Sequence, residues 1–298
     1  MKFSLDHLPE RKRLELSRIV EIVHEEFEDA LKEGTADFKK KGRILKIILF
    51  GSYARGDWVD EEHTGKGYKS DYDLLVIVNN RKLTDFGSYW RKAADRFPRL
   101  VKPPVSLNVH SLREVNTALK LGNYFFSEIR RDGIVLYELD DEELAEPKPL
   151  TPAEEYRAAQ QHFKRFHRSE KFLKGTRFYA SEGDTDEAAF LLHQAIEHAY
   201  STLLLTLTSY SPASHNLNHL RTLAEGRDQR LTEIWPQDRQ RYTAWFNIIN
   251  QAYVKARYSE HFKITEDALV WLGERADALQ RLVKAICEEH IEKLRKKL

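Results

Sequence analysis

Asp71 and Asp73, with Gly51-Ser52 shortly before them, are the residues of this chain best placed to do chemistry. The two carboxylates stand two apart at the start of the apolar run 74–78. Alternate residues of a strand point the same way, about 6.5–7 Å apart along the chain. Asp71 and Asp73 are therefore expected to face one point in space. Gly51-Ser52 ends a second apolar run, 46–50, and offers a turn with free backbone amides. Two hard carboxylates beside such a turn suit Mg²⁺ and the phosphates of an NTP.

The flanking elements have to hold these groups. Residues 46–50 and 74–78 read as buried strands. Apolar residues at helical spacing over 11–32 predict a first helix, with Gly34 as its end. Residues 84–96 read as another helix. Pro103-Pro104 then introduces a third strand, 105–109, with Val105, Leu107 and Val109 on one face and Ser106, Asn108 and His110 on the other. His110 is a candidate base or ligand, or a structural histidine. Helices at 112–119 and 124–131 and a closing strand at 133–137 complete this part. Thr151-Pro152-Ala153-Glu154 is a helix start with a capping box. Beyond it no strand pattern returns, and 156–173, 186–208, 218–223, 237–258 and 265–294 fit helices. The expected fold is α+β: a domain over 1–139 with a small mixed sheet and helices, an acidic Pro-flanked linker at 140–150, and an all-α bundle over 151–298.

At 298 residues, 41% hydrophobic and 32% charged, the chain can bury sizeable cores. A net charge of +1 gives no global field for nucleic acid. The single cysteine, Cys287, excludes a disulfide framework and a cysteine metal site within one chain. No apolar run approaches 18 residues, so no membrane span is expected and the cytoplasm is the expected compartment. His193, His198, His215 and His219 lack a zinc pattern, and His193 and His198 read as packing or capping residues.

Two motif sets carry resemblances. Gly51-Ser52-Tyr53-Ala54-Arg55-Gly56 and Ser70-Asp71-Tyr72-Asp73-Leu74-Leu75-Val76 resemble the nucleotidyltransferase domain of the DNA polymerase β superfamily in its minimal form. That resemblance implies Mg²⁺ at Asp71 and Asp73, and NTP phosphates at Gly51 and Ser52. It also implies a cation to steady the triphosphate, for which Arg55, Lys66 and Lys69 are candidates. The superfamily usually adds a third carboxylate on the next strand. Ser106, Asn108 and His110 stand there instead.

The second set is Phe190 to Tyr200, Ser214-His215-Asn216-Leu217, and Ala252 to Phe262, which resemble the HEPN domain. HEPN ribonucleases carry an Arg followed four to six residues later by His, on two chains that pair. Here Arg257 and His261 have three residues between them, and Tyr258 follows the Arg. On a helix running through His261 the two would share one face and grip one phosphate. Tyr258 suits base stacking.

The resemblances imply a Mg-dependent nucleotidyltransferase. It would move a nucleoside monophosphate, from ATP first of all, to a hydroxyl of a protein or RNA. The fused HEPN domain would bind nucleotide or RNA and form a homodimer, with the helix around Tyr242, Trp245 and Phe246 as its apolar face. The alternatives are a HEPN ribonuclease toxin with a built-in antitoxin transferase, and an inactive nucleotide-binding scaffold.

Overall fold

The structure is a computed structural model that describes residues 1–32, 35–58, 70–139, 143–212, 214–259 and 261–298. The described residues fall into two compact units that divide between Pro149 and Leu150.

In the first unit, β1 (Ile44–Phe50), β2 (Tyr72–Val78), β3 (Val105–Ser111) and β4 (Ile134–Glu138) form one mixed sheet in the order β3-β2-β1-β4. β1 pairs antiparallel with β2 and β4, while β2 and β3 run parallel. The helices are α1 (Glu10–Lys32), α2 (Asp37–Lys40), α3 (Gly51–Arg55), α4 (Phe86–Tyr89), α5 (Arg91–Leu100), α6 (Leu112–Lys120) and α7 (Tyr124–Asp132). Every residue of β1 and β2 is buried. Continuous apolar strands of this kind need cover on both faces. One face buries Ile47, Leu49, Leu74 and Val76 against Leu16, Ile19, Val23 and Phe27 of α1 and against Trp90 and Phe97. Each such side chain contributes about 1.5–3 kcal/mol by leaving water. On the opposite face Phe125 meets Phe50 edge-on at 5.4 Å, and Phe126 meets His110 at 5.2 Å.

The sequence predicts one helix over 84–96, but the chain breaks it. The Asp85 carboxylate accepts from the Ser88 amide at 2.7 Å and starts α4. The buried Trp90 indole then donates to the Leu83 carbonyl at 2.8 Å. At Trp90 the backbone leaves helical geometry, with φ −121° and ψ −15°, before α5 begins. The stretch read as a linker is partly laid on the first unit. Leu144 is buried, the Ala145 amide donates to Asn116 Oδ1 at 2.8 Å, and the Lys148 amide donates to the Leu119 carbonyl at 2.9 Å.

The second unit is helical: α8 (Pro152–Phe163), α9 (Phe166–Glu182), α10 (Thr185–Thr208), α11 (Leu217–Glu225), α12 (Gln240–Tyr258) and α13 (Glu266–Arg295). Thr151 and Glu154 form the reciprocal capping box that opens α8. α10 is the central helix and packs on the other five. The single helix expected over 156–173 is two. His167 Nδ1 donates to the Lys164 carbonyl at 2.6 Å, and the Arg168 amide turns to Arg165 at 3.0 Å, so the regular ladder is interrupted there. The apolar face expected around Phe246 is corrected too. Phe246 is buried against Trp235 at 4.7 Å, and Tyr242 stacks on Trp271 at 4.4 Å, so these rings serve their own unit.

Candidate functional site

The C-terminal end of β1 meets the N-terminal ends of β2 and β3. Phe50 pairs with Asp73, and Asp73 pairs with Ser106 across the parallel ladder. The Ser106 hydroxyl donates to Asp71 Oδ2 at 3.4 Å. Ser106 therefore ties the two aspartates together from the third strand, in the arrangement the alternation predicts. Asp73 is buried at 8% exposure, while Asp71 stands partly open.

Gly51 follows directly from Phe50 at φ +73°. A Cβ there would overlap Asp73 Oδ2 and lie 3.2 Å from its Cγ. Only glycine satisfies both the backbone and the close carboxylate. The donor set, two carboxylates, suits a hard cation. Among the described residues no group of three His, Cys, Asp or Glu side chains could hold a metal. The pair of carboxylates fits Mg²⁺, which often takes one or two carboxylates and completes its shell with water and phosphate. It does not fit an all-protein cage.

The α3 turn is held by α1, by His7 just before it and by Trp58, which the sequence pattern does not reveal. His7 Nε2 bonds to the Tyr53 carbonyl at 2.8 Å. The Tyr53 ring stacks on Trp58 at 5.5 Å and tilts against Tyr72 at 4.3 Å. The Lys12 ammonium lies 5.5 Å and 5.8 Å from the centres of the Tyr53 and Tyr72 rings. Glu15 accepts from the Tyr72 hydroxyl at 2.7 Å. One signal was available: Lys12 and Glu15 are three apart, so they share a helix face. That face turns inward, leaving Lys12 only 7% exposed.

Other expected residues fall elsewhere. Arg55 ends α3 and pairs with Asp57 at 3.2 Å. Lys66 and Lys69 lie outside the described residues. His110 is paired with Ile77, four residues beyond Ser106 on β3, which is about 13 Å along the strand. Burial lowers its pKa, against a smaller opposing pull from Glu114. It is a packed histidine, not a base at the aspartates. Asn108 is buried one step nearer, opposite Leu75.

A family model described as "Polymerase beta, Nucleotidyltransferase" matches residues 35–142, and one described as "HEPN domain" matches residues 164–293. The chain joins a nucleotidyltransferase domain to a HEPN domain. A Methanocaldococcus jannaschii protein named "Putative protein adenylyltransferase" is 50% identical over 52 residues, 17% of this chain. The chain spans 39% of that relative's length. The crystal structure of a nucleotidyltransferase-like protein from Exiguobacterium sibiricum aligns over 91% of this chain and 80% of its own, at 15% identity and a TM-score of 0.30. So loose a superposition supports no further step. Among the described residues no helix is long and apolar enough to cross a membrane.

In the HEPN domain, α12 ends at Tyr258 and Ser259 is extended, with φ −115° and ψ 117°. The helix does not run through His261, so Arg257 and His261 do not share a helix face. Instead the Arg257 guanidinium lies 4.4 Å from the centre of the Tyr253 ring and 4.8 Å from that of Phe190. Tyr258 is 75% exposed, with the same guanidinium 4.9 Å from its ring. His198 stacks on Phe172 at 5.2 Å, a packing role as expected.

Proposed function

We propose that the nucleotidyltransferase domain binds an NTP with Mg²⁺ at Gly51, Ser52, Asp71 and Asp73 and transfers its nucleoside monophosphate to a hydroxyl of a protein or RNA. The observation that carries this reading is the seat of Asp73 against Gly51, with Ser106 reaching Asp71 from the neighbouring strand. The family match over 35–142 supports the reaction class. The similarity to the archaeal relative supports ATP as the nucleotide and a protein side chain as the acceptor.

Each residue has a part. Gly51 keeps the approach to Asp73 clear and leaves backbone amides open for phosphate oxygens. Asp71 and Asp73 would hold Mg²⁺, which neutralises charge on the phosphates. Their placement, Asp73 on β2 and Asp71 just before it, would orient the α-phosphate for in-line attack by the acceptor hydroxyl, with pyrophosphate leaving. The HEPN domain binds nucleotide or RNA in this proposal and pairs two chains.

The test is pyrophosphate release and intact-mass spectrometry after incubation with each NTP, with Mg²⁺ or EDTA. Metal-dependent pyrophosphate release with a nucleoside monophosphate adduct supports transfer. Tight Mg-dependent NTP binding without pyrophosphate release would overturn it for the second reading, nucleotide binding alone. One observation favours that second reading: Ser106, paired with Asp73, brings a hydroxyl and no carboxylate.

A further inference from the structure

Tyr72 stands between the two aspartates in sequence, and strand alternation sends its side chain to the opposite face. There it is fully buried in the core that α1 covers. Its hydroxyl donates to Glu15 Oε2 at 2.7 Å. Glu15 in turn meets Arg11 Nε at 3.1 Å and Lys12 Nζ at 3.9 Å. The Tyr72 ring lies 4.3 Å from that of Tyr53, two residues after Gly51. The two motif segments therefore meet at two points. Gly51 abuts Asp73 on the side of the carboxylates, and Tyr53 abuts Tyr72 on the side of α1.

The contact between α1 and Tyr72 is polar inside a largely apolar core. The side chains of Glu15 and Lys12 are only 12% and 9% exposed. A carboxylate held so far from water needs cations and donors around it, and Lys12, Arg11 and the Tyr72 hydroxyl supply them. Apolar side chains can slide and repack, whereas a directional hydrogen bond to a buried carboxylate is made in one placement of helix against strand. That placement matters to the site. Mg²⁺ demands near-ideal octahedral geometry, so its affinity is sensitive to small shifts of the carboxylates that hold it.

We propose that Glu15, acting through the Tyr72 hydroxyl, is a positioning residue of the transfer site: it anchors β2 to α1 so that Asp71 and Asp73 stand at the spacing a divalent cation requires. Lys12 holds Glu15 in its charged form beside the two tyrosine rings. Neither Glu15 nor Tyr72 touches the nucleotide. This role rests on the reading of Asp71 and Asp73 as the Mg²⁺ site.

The experiment titrates Mg²⁺ into the full chain at fixed ATP and follows ATP binding by calorimetry, with a thermal melt of each variant in EDTA. Tyr72→Phe and Glu15→Ala should each raise the Mg²⁺ concentration at half-saturation about fivefold. The double variant should show no further rise, since both changes remove one hydrogen bond. Glu15→Gln, which can still accept from the Tyr72 hydroxyl, should keep most of the wild-type response, and it stands in where Glu15→Ala fails to fold. Ile19→Val, fully buried on the same helix, is the control for loosened packing and should lower the melting temperature without moving the Mg²⁺ requirement. A wild-type Mg²⁺ requirement in Tyr72→Phe and Glu15→Ala, with only their melting temperatures lowered, overturns the proposal and leaves the metal site standing. So does an equal shift in Ile19→Val. ATP binding by the wild type that does not depend on Mg²⁺ overturns the metal site itself, and this role with it.

Discussion

Replacing Gly51 with alanine strains the backbone and crowds Asp73 in one step. At φ +73° a residue with a Cβ costs about 1–2 kcal/mol. The new Cβ would also overlap Asp73 Oδ2, and Asp73 is buried on a strand paired on both sides. The carboxylate must swing away, because the strand cannot. A total loss of about 2 kcal/mol lowers the melting temperature of a unit of this size by roughly 4–8 °C. Moving a carboxylate out of a charge-assisted contact costs roughly 1.5–3 kcal/mol, so Mg-dependent NTP affinity falls about tenfold or more. Gly56→Ala is the matched comparison. Gly56 has φ +90°, and the nearest atom to an added Cβ is His7 Cδ2 at 3.7 Å. It should lose similar stability and keep its NTP affinity. Thermal melts and calorimetry on both variants provide the readout. Wild-type affinity in Gly51→Ala, or an equal loss of affinity in Gly56→Ala, refutes the reasoning that the glycine serves Asp73.

Three further outcomes follow from the described geometry. Glu225→Ala takes the carboxylate partner from the buried guanidinium of Arg221, whose Nε donates to Glu225 Oε1 at 2.6 Å, and should cost about 3–5 kcal/mol in urea melts; a loss under 1 kcal/mol contradicts this. His193 titrates at about 4 in the folded chain against 6.5 for the free group, because burial disfavours its charge. Below pH 6.5 the unfolded chain binds a proton that the folded one refuses, so this contribution is full above pH 6.5 and falls by up to about 1.4 kcal/mol per pH unit toward pH 4. Denaturation of wild type and His193→Asn at several pH values should show a flatter profile in the variant. Light scattering on the full chain should give twice 35.0 kDa if the HEPN domains pair, and a single-chain mass at tens of micromolar rejects the homodimer.

The strand and helix pattern of the first unit was legible because its signals are local. Apolar runs with β-branched residues end at Gly51, and the Asp71–Asp73 spacing needs only strand alternation. The breaks at Asp85, Trp90 and His167 were not legible. Each depends on a side chain bonding to a backbone group that helical periodicity does not reveal. The same limit hid α1's part in the site. Lys12 and Tyr72 are sixty residues apart in sequence, and only tertiary packing brings them together. In the HEPN domain the motif spacing drew attention to His261, which follows Arg257 closely. The histidine that shares an aromatic ring with Arg257 is His215, more than forty residues upstream. Because α12 ends at Tyr258, Arg257 and His261 do not share a helix face.

In the proposed transfer Asp71 and Asp73 act as one site with Gly51 and Ser52. Calorimetric titration of wild type and the Asp71→Ala/Asp73→Ala variant with ATP, each with Mg²⁺ and with EDTA, tests that directly. Wild type should bind ATP with Mg²⁺ at least tenfold more tightly than in EDTA, and the double variant should lose that difference while keeping its circular dichroism spectrum. A double variant that retains the full metal-dependent affinity would place the nucleotide elsewhere and contradict the assignment.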